Sequence, residues 1–210
     1  WSGLWQELSG ADRQITFGKN ATADVRFESA VPGVIVHTPG GPFPLRLPLP
    51  GEHNLLNAVA ATAAAIALGM SLEQIRSGLE AVRPVPGRLN LLYTDHGWTV
   101  IDDTYNANPA SLYAALQVLS HEHGEPWLVL GEMKELGPAS RKMHAEMGDA
   151  AVSMGVRRLF AIGDVARATV DAFGAGGQHF DDHGEMVRAL CRDLRPGVTC
   201  PIKGSRSLGM

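Results

Sequence analysis

Polar residues that could hold a ligand are concentrated in the segment IDDTYNANP, residues 101–109. Asn108 is well placed to cap a helix whose first residue is Pro109, so helix initiation explains part of this composition. Two adjacent aspartates, followed by threonine, tyrosine and two amides, exceed what capping requires. A carboxylate accepts hydrogen bonds from paired ribose hydroxyls, and amides both donate to and accept from a zwitterion. The segment is therefore predicted to bind a ligand.

Similar polar groups follow other apolar runs in the second half of the chain. They include the run Lys203-Gly204-Ser205-Arg206, as well as Glu132 and Asp164. In an open α/β sheet, ligands bind beyond the carboxyl ends of the strands, where helix N-termini and loop amides converge. Asp103 and Lys203 are the strongest candidates by this rule. Glu132 and Asp164 are explained equally well as turn formers or helix caps.

The first half of the chain contributes a weaker pair of candidates. Asn54 and Asn57 are three residues apart at the start of a predicted helix, so both amides lie on one face. An amide matches the donor and acceptor edge of adenine, although a helix cap and a buried polar residue are the simpler explanation. Arg88 could grip a phosphate or carboxylate with its planar fork, or it could be a solvated surface residue.

The elements that carry these residues differ between the two halves. Residues 13–48 predict short strands, RQITFG, DVRFES, VIVHTP and PLRLPLP, punctuated by Gly and Pro. A helix is predicted from Glu52 to about Leu68, with Gly69 as its stop, and a second one follows to about Val82 with Ser71 and Gln74 as a capping box. The run Arg83-Pro84-Val85-Pro86-Gly87 cannot continue a helix, so a domain boundary is predicted there.

From Arg88 onward, apolar strands alternate with helices, which predicts a mostly parallel sheet wrapped by helices. The predicted strands are RLNLLYT, WTVID, WLVLG, RLFAIG, a weak QHF, and VTCPI. Helices are expected to begin near Pro109, Ser140, Val165 and Glu185. Their predicted apolar faces comprise Leu112, Leu116 and Leu119 on the first, Met143, Met147, Ala150 and Met154 on the second, and Val187, Leu190 and Leu194 on the last.

Composition excludes several classes of protein. The 210 residues have a formal charge of −4 with scattered basic residues, which argues against a nucleic-acid partner, and no apolar run is long enough for membrane insertion. Cys191 and Cys200 are too few for a disulfide framework, which favours the cytoplasm. The group His179, Asp181, Asp182 and His183 is interpreted as a helix cap and not as a metal site. The chain begins without methionine or a leader, so further sequence is expected upstream.

Five segments, in this order, resemble the Mur ligase family: GEHNLLNA, RPVPGR, IDDTYNANPAS, LGEMKELG and IKGSRSLGM. IDDTYNANP and KGSRSLG resemble the branch that joins D-alanyl-D-alanine to UDP-N-acetylmuramoyl-tripeptide, whereas the other pieces are shared more widely. The resemblance implies an α/β fold. Residues 84–210 would form a Rossmann-like carboxy-terminal domain, and residues 1–83 the β-plus-two-helix end of a central ATP-binding domain.

The resemblance also implies roles for single residues. Asn54, Asn57, Arg88 and Asp103 would bind ATP, the asparagines at the adenine and Asp103 at the ribose. The substrate side of the cleft would comprise Tyr105, Asn106, Asn108, Lys203, Ser205 and Arg206. ATP would phosphorylate the carboxylate of the tripeptide, and the amine of D-alanyl-D-alanine would attack the acyl phosphate, with Mg²⁺ neutralising phosphate charge.

The sequence departs from the family in one important respect. It contains no Gly-x-x-x-x-Gly-Lys-Thr phosphate loop; the run Phe17-Gly18-Lys19-Asn20 lacks both the Ser or Thr and the earlier glycine. The phosphate loop and the magnesium ligands are expected upstream, no catalytic or metal residue is assigned to this chain, and the chain alone is predicted to be an inactive monomer. Two alternatives are a ligase like folylpolyglutamate synthase and, for the isolated chain, a module that binds nucleotide or peptide without catalysis.

Overall fold

The computed structural model describes residues 14–210, together with Gly3, Leu8 and residues 10–12. The chain divides into two compact units, Trp1–Arg83 and Pro84–Met210. Among the described residues, no helix combines the length and apolar character needed to cross a bilayer.

In its described residues, the first unit packs two helices against a small antiparallel sheet. Its strands are β1 (Arg26–Ser29), β2 (Val34–His37) and β3 (Phe43–Leu45), in that order, and its helices are α1 (Glu52–Ala67) and α2 (Leu72–Glu80). Val59, Thr62 and Ala63 of α1 are buried. The capping box of Ser71 and Gln74 begins α2 as predicted.

Two of the predicted strands in this unit are wrong. In place of RQITFG, described from residue 14 because Arg13 lies outside the described residues, there is only an isolated bridge between Phe17 and Val25. Asp24 holds this segment instead, since its carboxylate accepts hydrogen bonds from the Thr16 amide and hydroxyl at 2.8 and 2.7 Å. The strand predicted at PLRLPLP ends at Leu45, because the prolines that follow cannot donate to a ladder.

The second unit is built on a six-stranded sheet. Its strands are β4 (Asn90–Tyr93), β5 (Thr99–Asp103), β6 (Glu125–Gly131), β7 (Arg158–Ile162), β8 (Gly177–Phe180) and β9 (Val198–Lys203). Their order in the sheet is β4-β5-β9-β6-β7-β8, and only β4 runs antiparallel to its neighbour. The mostly parallel α/β sheet predicted from the sequence is confirmed. The last strand of the chain therefore lies between β5 and β6.

Helices cover both faces of this sheet. They are α3 (Pro109–His121), α4 (Ser140–Ser153), α5 (Arg167–Phe173) and α6 (His183–Asp193). Alternate residues of β6 face opposite layers, because Leu128 and Leu130 pack with α3, α4 and α5, whereas Trp127 and Val129 pack with α6. Both faces of the central strands are thus buried, as parallel sheets require.

Two of the predicted helix faces need correction. The α4 residues that are fully buried are His144, Gly148 and Ala151, while Met147, Ala150 and Met154 pack only partly against the core. On α6, Met186 and Ala189 are buried, and Val187 is half exposed. Helices α5 and α6 also begin two residues away from their predicted starts, at Arg167 and His183. The predicted α3 face of Leu112, Leu116 and Leu119 is confirmed.

Candidate functional site

The carboxyl ends of β5 and β9 bring Asp103 and Lys203 together. The two residues are register partners on adjacent parallel strands. Since side chains at matched positions of parallel neighbours point to the same side, the ammonium group of Lys203 reaches the carboxylate. Its Nζ atom lies 2.6 Å from Oδ2 of Asp103 and donates a second hydrogen bond, of 2.8 Å, to the carbonyl oxygen of Asn106.

This ion pair is buried, with side-chain exposures of 2% for Lys203 and 11% for Asp103. Desolvation lowers the pKa of Lys203 below its usual value, while the hydrogen bond and charge of Asp103 act in the opposite direction and the nearby Arg88 adds to the lowering. Arg88, whose guanidinium carbon lies over the Tyr105 ring, brings a second positive charge to the segment between Asp103 and Asn106 that Lys203 contacts. Any anion entering here would therefore meet more than one positive charge.

The Pro-Gly turn before Arg88 is fastened to the segment after β5. The Gly87 amide donates to Oδ2 of Asp102 at 3.0 Å, and the Tyr105 amide donates to the Gly87 carbonyl oxygen at 3.0 Å. Gly87 has a φ of 74°, and a Cβ there would lie 2.9 Å from the Tyr105 nitrogen, so only glycine allows this approach. Asp102 also accepts a 2.7 Å hydrogen bond from the Thr104 hydroxyl.

Tyr105 is the meeting point of two arginines. The guanidinium carbon of Arg88 lies 4.2 Å from the centroid of its ring, and that of Arg206 lies 5.4 Å from it. Arg206 begins the short 3₁₀ turn that follows β9, Arg206–Leu208. All three side chains are exposed, so they remain accessible to a ligand.

The two asparagines of the IDDTYNANP segment are partly committed to local structure. Asn108 caps α3, since its Oδ1 accepts from the Ser111 amide at 2.9 Å and the Ser111 hydroxyl accepts from the Asn108 amide. Oδ1 of Asn106 accepts from the neighbouring Ala107 amide at 2.9 Å. Both residues are exposed, and the hydrogen bonds just described use the Oδ1 atom of each side chain.

Ser205 is held from inside the protein by the loop that follows β6. It is 4% exposed; its Oγ accepts a 2.7 Å hydrogen bond from the Lys134 amide, and its own amide donates to the Glu132 carbonyl oxygen at 3.2 Å. The Lys134 ammonium group in turn pairs with the buried Glu132 carboxylate at 2.5 Å. These contacts connect the end of β6 to the segment that carries Lys203 and Arg206.

His144 completes this bracing and was missed by sequence reasoning. It is fully buried on α4, where Nε2 accepts from the Met133 amide at 3.0 Å and Nδ1 donates to the Ser140 carbonyl oxygen at 2.8 Å. The two bonds define a neutral imidazole with its proton on Nδ1. The one signal in the sequence that could have identified His144 was a histidine on the apolar face of a predicted helix.

The remaining sequence candidates lie elsewhere. Asn54 and Asn57 are both on α1 of the first unit, where the Asn54 amide donates to the Pro50 carbonyl oxygen at 2.7 Å and Asn57 is exposed. Asp182 caps α6 as expected, accepting from the Glu185 amide at 2.9 Å. In the described part of the chain, no three His, Cys, Asp or Glu side chains are grouped closely enough to hold a metal ion.

Comparison with known protein families shows which family this chain belongs to. The family model described as Mur ligase, glutamate ligase domain, matches residues 87–206, which include Arg88, Asp103, Lys203 and Arg206. The chain belongs to the Mur ligase family. The site built by β5 and β9 is therefore a feature of a Mur ligase domain, as the five ordered segments indicated.

Several curated relatives of this Mur ligase chain share one name. The UDP-N-acetylmuramoyl-tripeptide–D-alanyl-D-alanine ligase of Escherichia coli is 35% identical over 214 residues, covering 98% of this chain and 47% of that protein. The Haemophilus influenzae ligase of the same name is 34% identical, covering 99% of this chain and 47% of that protein. The chain thus spans about half the length of the curated relatives it matches.

Solved structures give the same picture of this Mur ligase fold. A structure of MurF from Acinetobacter baumannii superposes with a TM-score of 0.81 at 35% identity, covering 92% of this chain and 44% of that one. Folylpolyglutamate synthase from Mycobacterium tuberculosis has a TM-score of 0.65 at 23% identity, covering 88% of this chain and 46% of that one. The second likeness shows a shared fold alone.

Proposed function

We propose that this chain is the carboxy-terminal part of an ATP-dependent ligase that joins D-alanyl-D-alanine to UDP-N-acetylmuramoyl-tripeptide. The observation that carries the proposal is the 35% identity with the Escherichia coli ligase of that name across 98% of the chain. Because the chain matches about half of that protein, the activity is assigned to the intact protein. Residues 84–210 would supply one wall of its ligand site.

The proposed reaction has two steps. A carboxylate oxygen of the tripeptide attacks the γ-phosphorus of ATP, which forms an acyl phosphate and releases ADP. The neutral amine of D-alanyl-D-alanine then attacks the acyl carbon, and the amide forms as phosphate leaves and the amine loses a proton. Since both steps move negative charge between oxygens, positioning and electrostatic stabilisation supply most of the catalysis.

On the nucleotide side, we assign Arg88 and Asp103 to ATP, with Asn54 and Asn57 at the adenine. Arg88 is supported by its exposed guanidinium and its fastened turn. Asp103 is supported by its place at the end of β5, and the part of its carboxylate edge that stays exposed would accept ribose hydroxyls. Lys203 would then hold this carboxylate in a fixed orientation.

On the substrate side, we assign Tyr105, Asn106, Asn108, Lys203, Ser205 and Arg206. Tyr105, Asn106, Asn108 and Arg206 are the exposed members of this set, and the last three would contact a peptide directly. Lys203 and Ser205 are almost fully buried and would act by holding the loop that carries Arg206. The cationic groups suit a substrate that carries carboxylates.

ATP would be used as its magnesium complex, in which the ion neutralises phosphate charge during transfer. The described residues do not provide a cluster of metal-binding side chains. We therefore assign no magnesium ligand to these residues and derive no step from the ion.

The test is amide formation by the protein produced with its natural upstream sequence. ATP, UDP-N-acetylmuramoyl-tripeptide and D-alanyl-D-alanine are expected to give the pentapeptide product, measured by mass, with one ADP per amide. L-glutamate with a folate acceptor serves as the second arm, since the folylpolyglutamate synthase shares the fold. Glutamate addition in that arm, or no ATP-dependent product in the first, would refute the proposal.

The same preparation tests three accessory expectations. The 210-residue chain alone should form no amide because its sequence lacks the phosphate loop. Weak binding of ATP or D-alanyl-D-alanine by the isolated chain without turnover would match the description of a binding module. A monomeric mass in light scattering, and recovery of the protein from the cytoplasmic fraction, are the expected physical properties.

A further inference from the structure

Tyr105 occupies an unusual position between two segments that are far apart in sequence. Arg88 belongs to the Pro-Gly turn before β4, and Arg206 follows β9 at the end of the chain. Their guanidinium carbons lie 4.2 and 5.4 Å from the centroid of the Tyr105 ring. A cation placed over an aromatic ring is attracted by the electron-rich face, and the arginine plane also stacks on it. One ring therefore restrains both guanidinium groups.

The backbone around this ring is held by hydrogen bonds on both sides. The Tyr105 amide donates to Gly87, and the Gly87 amide donates to Asp102, so the turn that carries Arg88 is tied to the residue that carries the ring. Ser205, the residue directly before Arg206, is buried, and its Oγ accepts a hydrogen bond from the Lys134 amide. The backbone that carries each arginine is therefore held by hydrogen bonds, and contact with the ring reduces the conformational freedom of the two side chains.

Positively charged side chains outnumber carboxylates around Tyr105, and the exposed charges are the cations. Arg88 and Arg206 are exposed, and Lys203 is buried against Asp103 and the Asn106 carbonyl oxygen, which lie on either side of Tyr105 in sequence. The two nearby carboxylates, Asp102 and Asp103, accept hydrogen bonds from within the protein. Burial is the main cause that lowers the pKa of Lys203, and the charge of Arg88 adds to this lowering. A bound anion would relieve this mutual repulsion, and planar guanidinium groups suit phosphate and carboxylate oxygens.

We propose that Tyr105 is a positioning residue that holds Arg88 and Arg206 as one unit, so that both guanidinium groups act on a single anionic ligand. The ligand group is a phosphate or a carboxylate, supplied by a nucleoside diphosphate or by the carboxyl terminus of a peptide. In this arrangement the ring itself makes no hydrogen bond to the ligand. The inference depends on the proposed function only for the choice of these two ligand sources. It extends the assignment of Arg88 to the nucleotide and of Arg206 to the peptide substrate, because each arginine would also contact the anion bound by the other.

The test follows the side-chain Nε–Hε NMR signals of Arg88 and Arg206 in the 210-residue chain during titration with ADP and, separately, with D-alanyl-D-alanine. Sodium chloride at matched ionic strength is the control. With at least one of the two ligands, both signals should move with a single midpoint concentration. A phosphate source is indicated by a response to ADP, and a carboxylate source by a response to the dipeptide.

Three substitutions separate positioning from a merely structural role. Tyr105→Phe keeps the ring and should keep the shared midpoint. Tyr105→Leu should raise the midpoint about fivefold to thirtyfold, because two cation–π contacts are lost. Tyr113→Leu is the matched control, since Tyr113 is exposed to a similar degree, 45% against 40%. It should behave like the unsubstituted chain.

Several results would overturn the inference. They are a response of one arginine only, separate midpoints in the unsubstituted chain, no response to either ligand, or an unchanged response in Tyr105→Leu. The proposed function is judged separately by amide formation in the intact protein. Normal amide formation with independent arginines would refute the pairing alone, and a paired response without amide formation would refute the proposed function alone.

Discussion

The ammonium group of Lys203 and the carboxylate of Asp103 form a buried pair 2.6 Å apart, although one hundred residues separate them in sequence. They meet because β9, the last strand, is inserted beside β5 in exact parallel register. Either charge alone would be costly at this depth, since desolvation is offset only by the partner. The pair therefore links the stability of the sheet to the chemistry at its edge.

The first prediction concerns this pair. Lys203→Met should lower the free energy of unfolding by about 3–5 kcal/mol, because it leaves a buried carboxylate without its cation. The double variant Lys203→Met with Asp103→Leu should cost less than the sum of the two single substitutions. Urea unfolding followed by circular dichroism measures all four proteins. Strict additivity would show that the two groups do not interact.

The second prediction concerns the turn that carries Arg88. At Gly87 an alanine Cβ would face the Tyr105 nitrogen at 2.9 Å in addition to the strain of a φ of 74°. Gly155 has a similar φ of 84°, but a Cβ added there would have no atom within 4 Å. Gly155→Ala should cost about 1 kcal/mol from backbone strain, and Gly87→Ala about 2 kcal/mol or more. Equal losses in thermal unfolding experiments would argue against the close approach.

The third prediction concerns His144. Replacing it with Leu removes the acceptor for the buried Met133 amide, which should cost about 1–3 kcal/mol and speed hydrogen exchange at that amide. His121→Leu is the control because His121 is exposed on α3, where substitutions usually change stability by less than about 0.5 kcal/mol. Unchanged exchange at Met133 in the His144 variant would contradict the bracing of this loop.

The fourth prediction concerns acid. Hydrogen bonds from Arg192 and then Arg158 lower the pKa of Asp193 below its model-compound value of 3.8. The unfolded chain therefore binds a proton before the native chain does, so the contribution of Asp193 is complete above about pH 4 and is lost as the pH falls through the native pKa. Asp193→Asn should lower the Tm at pH 7, and the difference should shrink towards pH 2.5. Asp171→Asn, at an exposed site on α5, is the control for the loss of one surface carboxylate.

Local signals predicted much of the fold because they act over a few residues. The cap at Asn108 and the apolar spacing of α3 are properties of one turn and one face, and both were predicted. The face of α4 was predicted only in part, because a neighbour decides its centre: a Cβ on Gly148 would collide with the Thr169 carbonyl oxygen, so α5 approaches the helix most closely at this glycine. Sequence periodicity favours large side chains and cannot show such an approach.

The sequence allowed residues of the candidate site to be selected, but it did not show which of them contact one another. The strand-end rule selected Asp103 and Lys203, yet nothing in the sequence shows that β9 pairs with β5 and makes them partners. The same insertion brings Arg206 to Tyr105, and it buries Ser205 against the loop after β6. Long-range strand order is the information that local patterns lack.

The most direct test of the account is the ligation rate of the intact protein that carries Lys203→Met together with Asp103→Leu. If the ends of β5 and β9 form the ligand site, this variant should stay folded, as judged by its Tm, and lose about 100-fold or more in kcat/KM, since positioned charges contribute on that scale. A folded double variant with the kcat/KM of the unsubstituted protein would contradict the account, because the pair would then serve stability alone.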